Sequence, residues 1–99
     1  MMTKQDRRDI ASIVNHFDFA LVHQCMVGMR WQWAVRGSRR RRVPSRTRII
    51  ASATELLHHA VKMSSGWVSS GGFRAGRDEH GRLALAFEVE ACNARELEP

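Results

Sequence analysis

Four consecutive arginines, Arg39 to Arg42, lie near the middle of this 99-residue chain and limit how it can fold. Their like charges repel one another, so the run is expected in an exposed loop. A Gly-Ser pair precedes the run, and Pro44 and Ser45 follow it. These residue types are typical of loops and of helix starts. The composition therefore predicts a basic, arginine-rich loop over residues 37–45, with Ser45 as the N-cap of a helix.

The positive charge of the chain is concentrated in one block. Between Asp18 and Glu55 there are eight arginines and no acidic residue, and the formal net charge of the whole chain is +6. The remaining residues carry eight basic and ten acidic side chains. A polyanion would therefore meet one positive patch and not a uniformly basic surface.

The segment before the arginine run has helical periodicity. Thr3 and Asp6 have the spacing of a capping box, which predicts the start of a helix. The apolar pattern then runs on to Gly37, a residue type that often follows a helix end. We therefore expect one long first helix. The alternative ends this helix at Gly28 and makes residues 29–36 a short strand.

This first helix carries two apolar stripes. The first stripe comprises Ile10, Val14, Phe17, Leu21, Gly28, Trp31 and Val35. The second stripe comprises Phe19, Val22, Met26, Met29 and Trp33. A helix with two apolar faces needs two partners, and a later helix can cover one of them. The second stripe then meets either the rest of the chain or another protein surface, of which a homodimer is the simplest case.

A second helix is predicted after Ser45, because apolar residues recur at helical spacing from Ile49 to Met63. We expect it to pack antiparallel to the first helix, so that the two form a helical hairpin joined by the basic loop. Residues 64–72 are rich in serine and glycine, which predicts a flexible connector. A short strand around Trp67 is the alternative.

The C-terminal part predicts an antiparallel β-hairpin. From Leu83 to Glu90, large apolar residues alternate with small or charged ones. A three-residue loop over 79–81 sets Phe73 opposite Phe87 and places every large apolar side chain on one face. The hairpin must then lie on the helices, because two strands alone are only marginally stable.

Together these patterns predict a single α+β domain over residues 1–99. It consists of a two-helix antiparallel hairpin with a long N-terminal helix, packed with a C-terminal antiparallel β-hairpin. The polar tail, residues 93–99, should fray. No apolar run approaches the roughly 18 to 20 residues of a membrane span, and the N-terminus lacks the apolar segment of a secretion signal. We therefore expect a cytoplasmic protein in which Cys25 and Cys92 are free thiols.

The sequence predicts neither catalysis nor cofactor binding. Serines and histidines are present, but they form no catalytic motif. His58 and His59 are adjacent, so on a helix they diverge by about 100° and cannot share a metal ion without other ligands. We expect a protein that is not an enzyme and that binds no cofactor and no metal.

The leading hypothesis is nucleic-acid binding through the arginines, which contact phosphates bidentately and release counterions. The residues expected to contact DNA or RNA are Arg36, Arg39, Arg40, Arg41, Arg42, Arg46 and Arg48. Trp31 and Trp33 lie beside them in the sequence. Both are expected to pack in the core, because they lie on apolar stripes, with stacking on unpaired bases as the alternative.

The second hypothesis is a protein-binding inhibitor or adaptor that docks on a larger complex, such as one that handles nucleic acid. Its arginines would bind an acidic protein surface, and the second apolar stripe would be its partner face. A phage or a mobile element could encode a small protein of this kind. The sequence does not decide between the two hypotheses.

Overall fold

A computed structural model describes the backbone of residues 2–35 and 43–88, and the side chains of residues 2–28 and 43–88. Within these ranges the chain forms three helices followed by three strands. They are α1 Lys4–His16, α2 Phe19–Val35, α3 Arg46–Val61, β1 Trp67–Ser70, β2 Phe73–Arg77 and β3 Leu83–Phe87. The strands form one antiparallel sheet in the order β1-β2-β3. The predicted α+β class is therefore confirmed.

The prediction of one long first helix is wrong, because the chain breaks between α1 and α2. The predicted capping box is present, with Thr3 and Asp6 each accepting a hydrogen bond from the other's backbone N–H. At the end of α1, Phe17 adopts an extended conformation with ψ 139°. The carboxylate of Asp18 then accepts a hydrogen bond of 3.0 Å from the backbone N–H of Leu21. This is the bond that an N-cap residue makes, so Asp18 starts a new helix.

The strand alternative for residues 29–36 is also wrong, because α2 continues as a helix to Val35. Gly28 does not end the helix and is buried. Packing against the rest of the fold therefore outweighs the cost of about 1 kcal/mol that glycine adds inside a helix. Residues 36–42, which include most of the predicted basic loop, lie outside the described residues, as does the predicted frayed tail.

The core forms where the helices pack on one face of the sheet. α3 is its central element, since it contacts both other helices and all three strands. The predicted apolar face of α3 is confirmed, because Ile49, Ala53, Leu56, Leu57 and Ala60 are buried. Two of these residues are alanines, whose small side chains let the helix and the sheet approach closely.

Aromatic rings join α2 to the sheet. The ring of Phe73 on β2 has its centroid 6.0 Å from that of Phe17 and 6.2 Å from that of Phe19. It also lies 5.0 Å from Phe87 on β3. Because Phe17 and Phe19 flank the break at Asp18, the break allows both rings to reach the same partner.

Part of the second apolar stripe is buried in the chain's own core. Phe19 and Val22 belong to the core, and Met26 packs against it. For these three residues the structure shows the intramolecular alternative instead of a free partner face. The side chains of Met29 and Trp33, which complete that stripe, lie outside the described residues.

Residues 67–70 form a strand, so here the alternative prediction is confirmed and not the flexible connector. This strand, β1, pairs with β2 and sets Ser70 opposite Phe73. The turn between them is Gly71 and Gly72, whose φ values are +59° and +90°. Glycine adopts these left-handed conformations without strain, and two such residues in succession match a tight hairpin turn.

The hairpin between β2 and β3 has the predicted register. Phe73 faces Phe87, and Ala75 faces Leu85. Gly81 has a φ of +76°, as the predicted three-residue loop requires. The side-chain pattern alone therefore determined how these two strands pair.

The prediction of two free thiols is wrong for Cys25, which is disulfide-bonded. Its side chain is buried in α2. The other cysteine of the chain, Cys92, lies outside the described residues. Spacing in the sequence does not show which cysteines approach each other in a fold. The free-thiol prediction depended on an assumed reducing compartment.

Arg77 links α3, α1 and the hairpin loop. Its guanidinium donates hydrogen bonds to the carbonyl oxygens of Val61 at 3.1 Å, Met63 at 3.2 Å and Gly81 at 3.3 Å. It also lies 3.6 Å from the carboxylate of Asp6. Carbonyl groups at the end of a helix have no partner within the helix, so Arg77 caps the C-terminal end of α3.

We expect Arg77→Ala to lower the free energy of unfolding by about 2–4 kcal/mol, because it removes charge-assisted hydrogen bonds and leaves a buried carboxylate without its cation. Urea denaturation followed by circular dichroism measures this change. Arg82→Ala is the matched control. Its side chain is 70% exposed and lies 3.8 Å from Asp9, so its loss should cost less than about 0.5 kcal/mol. Equal costs for the two variants would contradict the capping role of Arg77.

The pKa of Asp6 lies below its usual value of 3.8, first because the backbone N–H of Thr3 donates to it and further because of the Thr3 side chain and the charge of Arg77. A carboxyl group whose pKa is lower in the folded state stabilises the fold above its unfolded pKa. That contribution is lost as the pH falls through the folded pKa. We therefore expect the stability advantage of the wild type over Asp6→Asn to shrink below about pH 4. Urea denaturation from pH 7 to pH 2 tests this, and parallel profiles of the two proteins would contradict it.

Candidate functional site

The described part of the basic segment is the start of α3. The Ser45 hydroxyl accepts a hydrogen bond of 3.2 Å from the backbone N–H of Arg48, which confirms the predicted N-cap. Arg46 and Arg48 both lie in the first helical turn, and both side chains are exposed. This turn contains no acidic residue. The first turn of α3 therefore presents two guanidinium groups to solvent.

Helix electrostatics disfavours this arrangement. The N-terminal end of a helix carries a partial positive charge, so a nearby cation costs about 0.3–1 kcal/mol where an acidic residue would stabilise. α1 follows the rule, with Asp6 in its first turn. In α3 the same position holds two arginines, and neither forms an ion pair with another described residue. The stability of the helix thus does not account for Arg46 and Arg48.

The opposite end of α3 contains side chains of both charges. Arg77 bonds to the carbonyl of Val61, the last residue of α3, and also contacts Asp6. Asp78 follows Arg77, and its carboxylate accepts hydrogen bonds from the backbone N–H groups of Arg82 and His80. The hydrogen bond from Arg82 is the main cause that lowers the pKa of Asp78.

The length of α3 keeps these opposite charges apart. Its 16 residues span about 22 Å at a rise of 1.5 Å per residue. This is well beyond the Debye length of about 8 Å at physiological salt, so the exposed arginines are screened from Asp6 and Asp78. No described carboxylate therefore compensates the two arginines in the first turn of α3.

Of the predicted contact residues, the structure describes Arg46 and Arg48, which lie two positions apart in the first turn of α3 and so on different sides of the helix. Arg36 and the run from Arg39 to Arg42 lie outside the described residues. The backbone of Trp31 and Trp33 belongs to α2, but their side chains lie outside the described part of the chain. The predicted stacking role of these two tryptophans therefore stays a prediction.

The sequence analysis did not identify a second surface, the uncovered face of the sheet. Phe73 and Ala75 on β2 point into the core, so the residues that alternate with them point away from it. We call this surface the open sheet face. It consists of Trp67 and Ser69 on β1, Arg74 and Gly76 on β2, and Ala84 and Ala86 on β3.

Trp67 dominates the open sheet face. It is 45% exposed. The guanidinium carbon of Arg74 lies 5.8 Å from the centroid of its ring, a cation–π distance. The sequence signal was available, since Arg74 and Gly76 alternate with buried residues. That signal becomes informative only when Trp67 is known to lie in a strand.

Gly76 allows the indole of Trp67 to lie against the strand. The two residues are directly opposite in the pairing of β1 with β2. A Cβ atom on residue 76 would lie 2.8 Å from Cδ2 of Trp67 and would also collide with the carbonyl oxygen of Gly66. The missing side chain therefore fixes where the ring sits, while much of the ring stays exposed.

The described residues offer little other site chemistry. A shallow groove of about 260 Å³ between α1 and α3 is lined mainly by apolar side chains, among them Met2, Ile10 and Val14. No group of three or more histidine, cysteine, aspartate or glutamate residues within residues 2–28 and 43–88 has the geometry of a metal site. Among the helices that the structure describes, none combines the length and the apolar character that crossing a membrane requires.

Comparison with known proteins adds no relative to this description. No protein family model, no curated protein and no solved structure matches the chain.

Proposed function

We propose that the protein is a non-catalytic nucleic-acid-binding protein that contacts DNA or RNA mainly through phosphates. The observation that carries this proposal is the first turn of α3, where Arg46 and Arg48 are exposed against the helix dipole and lack described acidic partners. Phosphates of the bound strand would neutralise these arginines. They would also lie at the helix end whose partial charge is positive, which favours an anion.

The sequence adds further charge close to this turn. The four consecutive arginines end at Arg42, three residues before Ser45. Three residues of chain span at most about 11 Å, so Arg42 lies within about 11 Å of the N-cap of α3 along the chain. Phosphates follow one another about every 3.4 Å along the axis on each strand of duplex DNA, so several arginines can be neutralised by one partner.

The uncompensated arginines would also orient the protein on its partner. Phosphates would attract Arg46 and Arg48, whereas Asp6 at the other end of α3 already offsets the charge of Arg77. Contacts of this kind fix the orientation of a protein on nucleic acid but do not read its sequence. We therefore propose binding with little sequence specificity.

We expect the double variant R46A/R48A to bind duplex DNA of every sequence more weakly, by a similar factor. The slope of log K against log salt should become shallower by about 1.8, since each phosphate contact contributes about 0.9. Fluorescence anisotropy of labelled random-sequence duplexes over a range of salt concentrations measures both. The variant should keep its melting temperature, because removing cations from the start of a helix does not weaken the helix.

The matched control is R8A/K62A, which removes two positive charges from exposed residues in α1 and at the C-terminal end of α3. Its salt slope should match that of the wild type. Equal losses in both double variants would show a net-charge effect and contradict the proposed contact surface. Replacing Arg39 to Arg42 with alanine should weaken binding further, and an unchanged affinity would exclude the arginine run from the interface.

An inhibitor or adaptor that binds protein is the second candidate, and two exposed apolar residues of α2 favour it. Leu21 is 58% exposed and Val27 is 47% exposed. In this case Arg46 and Arg48 would dock on an acidic protein surface. The partner would bury the apolar side chains that the described core leaves uncovered.

A pull-down from nuclease-treated lysate of the source cells separates the two candidates. A stoichiometric protein that the wild type retains and that an L21S/V27S variant loses would establish the adaptor. Recovery of partners only while nucleic acid is intact would support nucleic-acid binding. A Q24A variant, changed at an exposed polar position of the same helix, is the control.

A further inference from the structure

We propose that the open sheet face is a stacking surface for an unpaired base of single-stranded nucleic acid, with Trp67 as the stacking ring and Arg74 as the charged contact. This inference rests on the proposed function, in which the partner is a nucleic acid. It adds a preference of the protein for single strands over duplexes.

The placement of Trp67 suits a preformed stacking site. The ring packs against the backbone at Gly76, where any Cβ atom would displace it. The ring is therefore held before a ligand arrives, and stacking would cost little conformational entropy. Since 45% of Trp67 is exposed on a sheet that already has a core on its other side, a planar aromatic ligand would bury area that the fold leaves open.

Arg74 supplies the charge that a nucleotide needs beside the base. Its side chain is exposed, and it forms no ion pair with another described residue. Its guanidinium carbon lies over the Trp67 ring, 5.8 Å from the ring centroid. An entering base would displace the guanidinium from the ring, and the displaced side chain would stay close enough to bind the phosphate of the same nucleotide. A guanidinium binds phosphate in a bidentate manner and also stacks on planar rings.

The area of the open sheet face decides between a nucleotide and a second copy of the chain. Three strands about 4.8 Å apart and five residues long cover about 240 Å². A stable protein interface buries about 800 Å² on each partner. The face is thus too small to hold a dimer together, but it accommodates a base and its phosphate. Ala84 and Ala86 leave the floor beside the ring flat.

A duplex cannot use this surface in the same way. Its bases are stacked on one another, so their faces do not reach a protein ring. Trp67 would therefore contribute only to single strands, whereas the arginines at the start of α3 would contribute to single strands and duplexes alike. This difference separates the failure of the stacking proposal from the failure of the proposed function.

The test compares Trp67→Ala with the wild type on three labelled ligands: a single-stranded DNA, the same strand with abasic sites in place of its bases, and a duplex. We expect affinity for the normal single strand to fall about 5- to 150-fold, since aromatic residues commonly contribute this much per stacked base. Affinity for the abasic strand and the duplex should be unchanged. Arg74→Ala should weaken single-strand binding, and Gln24→Ala, at an exposed position of α2 outside this face, is the control.

Several results would overturn the stacking proposal. If R46A/R48A weakens binding but Trp67→Ala changes nothing, the protein binds nucleic acid without this surface. If Trp67→Ala weakens single-strand and duplex binding equally, the ring does not act by stacking on bases. If the wild type binds none of the ligands, the stacking proposal and the proposed function both fail.

Light scattering tests whether a second copy of the chain occupies this face instead. A wild type that dimerises and a monomeric Trp67→Ala variant would assign the face to a second copy of the chain and overturn the proposal. Circular dichroism checks that each variant folds. If Trp67→Ala does not fold, Trp67→Phe replaces it in the test. Its smaller ring should still lower affinity for single strands and leave affinity for the duplex unchanged.

Discussion

The contacts of Arg77 connect parts of the fold that are distant in the sequence. One guanidinium bonds to the end of α3, to the loop of the β2–β3 hairpin and to Asp6 in the first turn of α1. Because the carbonyl groups at a helix end need partners, this bonding fixes the sheet against the C-terminal end of α3. This bonding and the burial of Leu57 in the core together hold α3 in place relative to the three strands.

The same contact determines the electrostatics of the molecule. It draws Asp6 and the loop that contains Asp78 to the C-terminal end of α3, so exposed arginines at the other end face no described carboxylate. The C-terminal end of α3 therefore has charges of both signs that stabilise the fold, whereas the N-terminal end has arginines that helix electrostatics disfavours. The proposed polyanionic partner would account for these arginines.

The sheet has two faces of different character. One face carries Phe73 and Ala75 into the core, and the other carries Trp67 and Arg74 into solvent. Small residues make the second face flat, and Gly76 in particular lets an indole lie on the strand. The proposed binding surfaces thus differ in chemistry. The start of α3 offers charge for phosphates, whereas the open sheet face offers a ring for bases.

The sequence by itself determined the features that depend on neighbouring residues. These were the capping box of Thr3 and Asp6, the cap at Ser45, the apolar face of α3 and the register of the β2–β3 hairpin. Each depends on spacing within a short segment, where local geometry leaves few alternatives. For the candidate site, the sequence identified Arg46 and Arg48 but not Trp67.

Only the tertiary structure decided the break at Asp18, the strand at Trp67, the burial of Phe19 and the bonding of Cys25. An apolar stripe at helical spacing runs through Asp18 without interruption, and a Ser/Gly-rich segment becomes a strand only when β2 lies beside it. These outcomes depend on contacts between residues far apart in the sequence, which no local pattern contains.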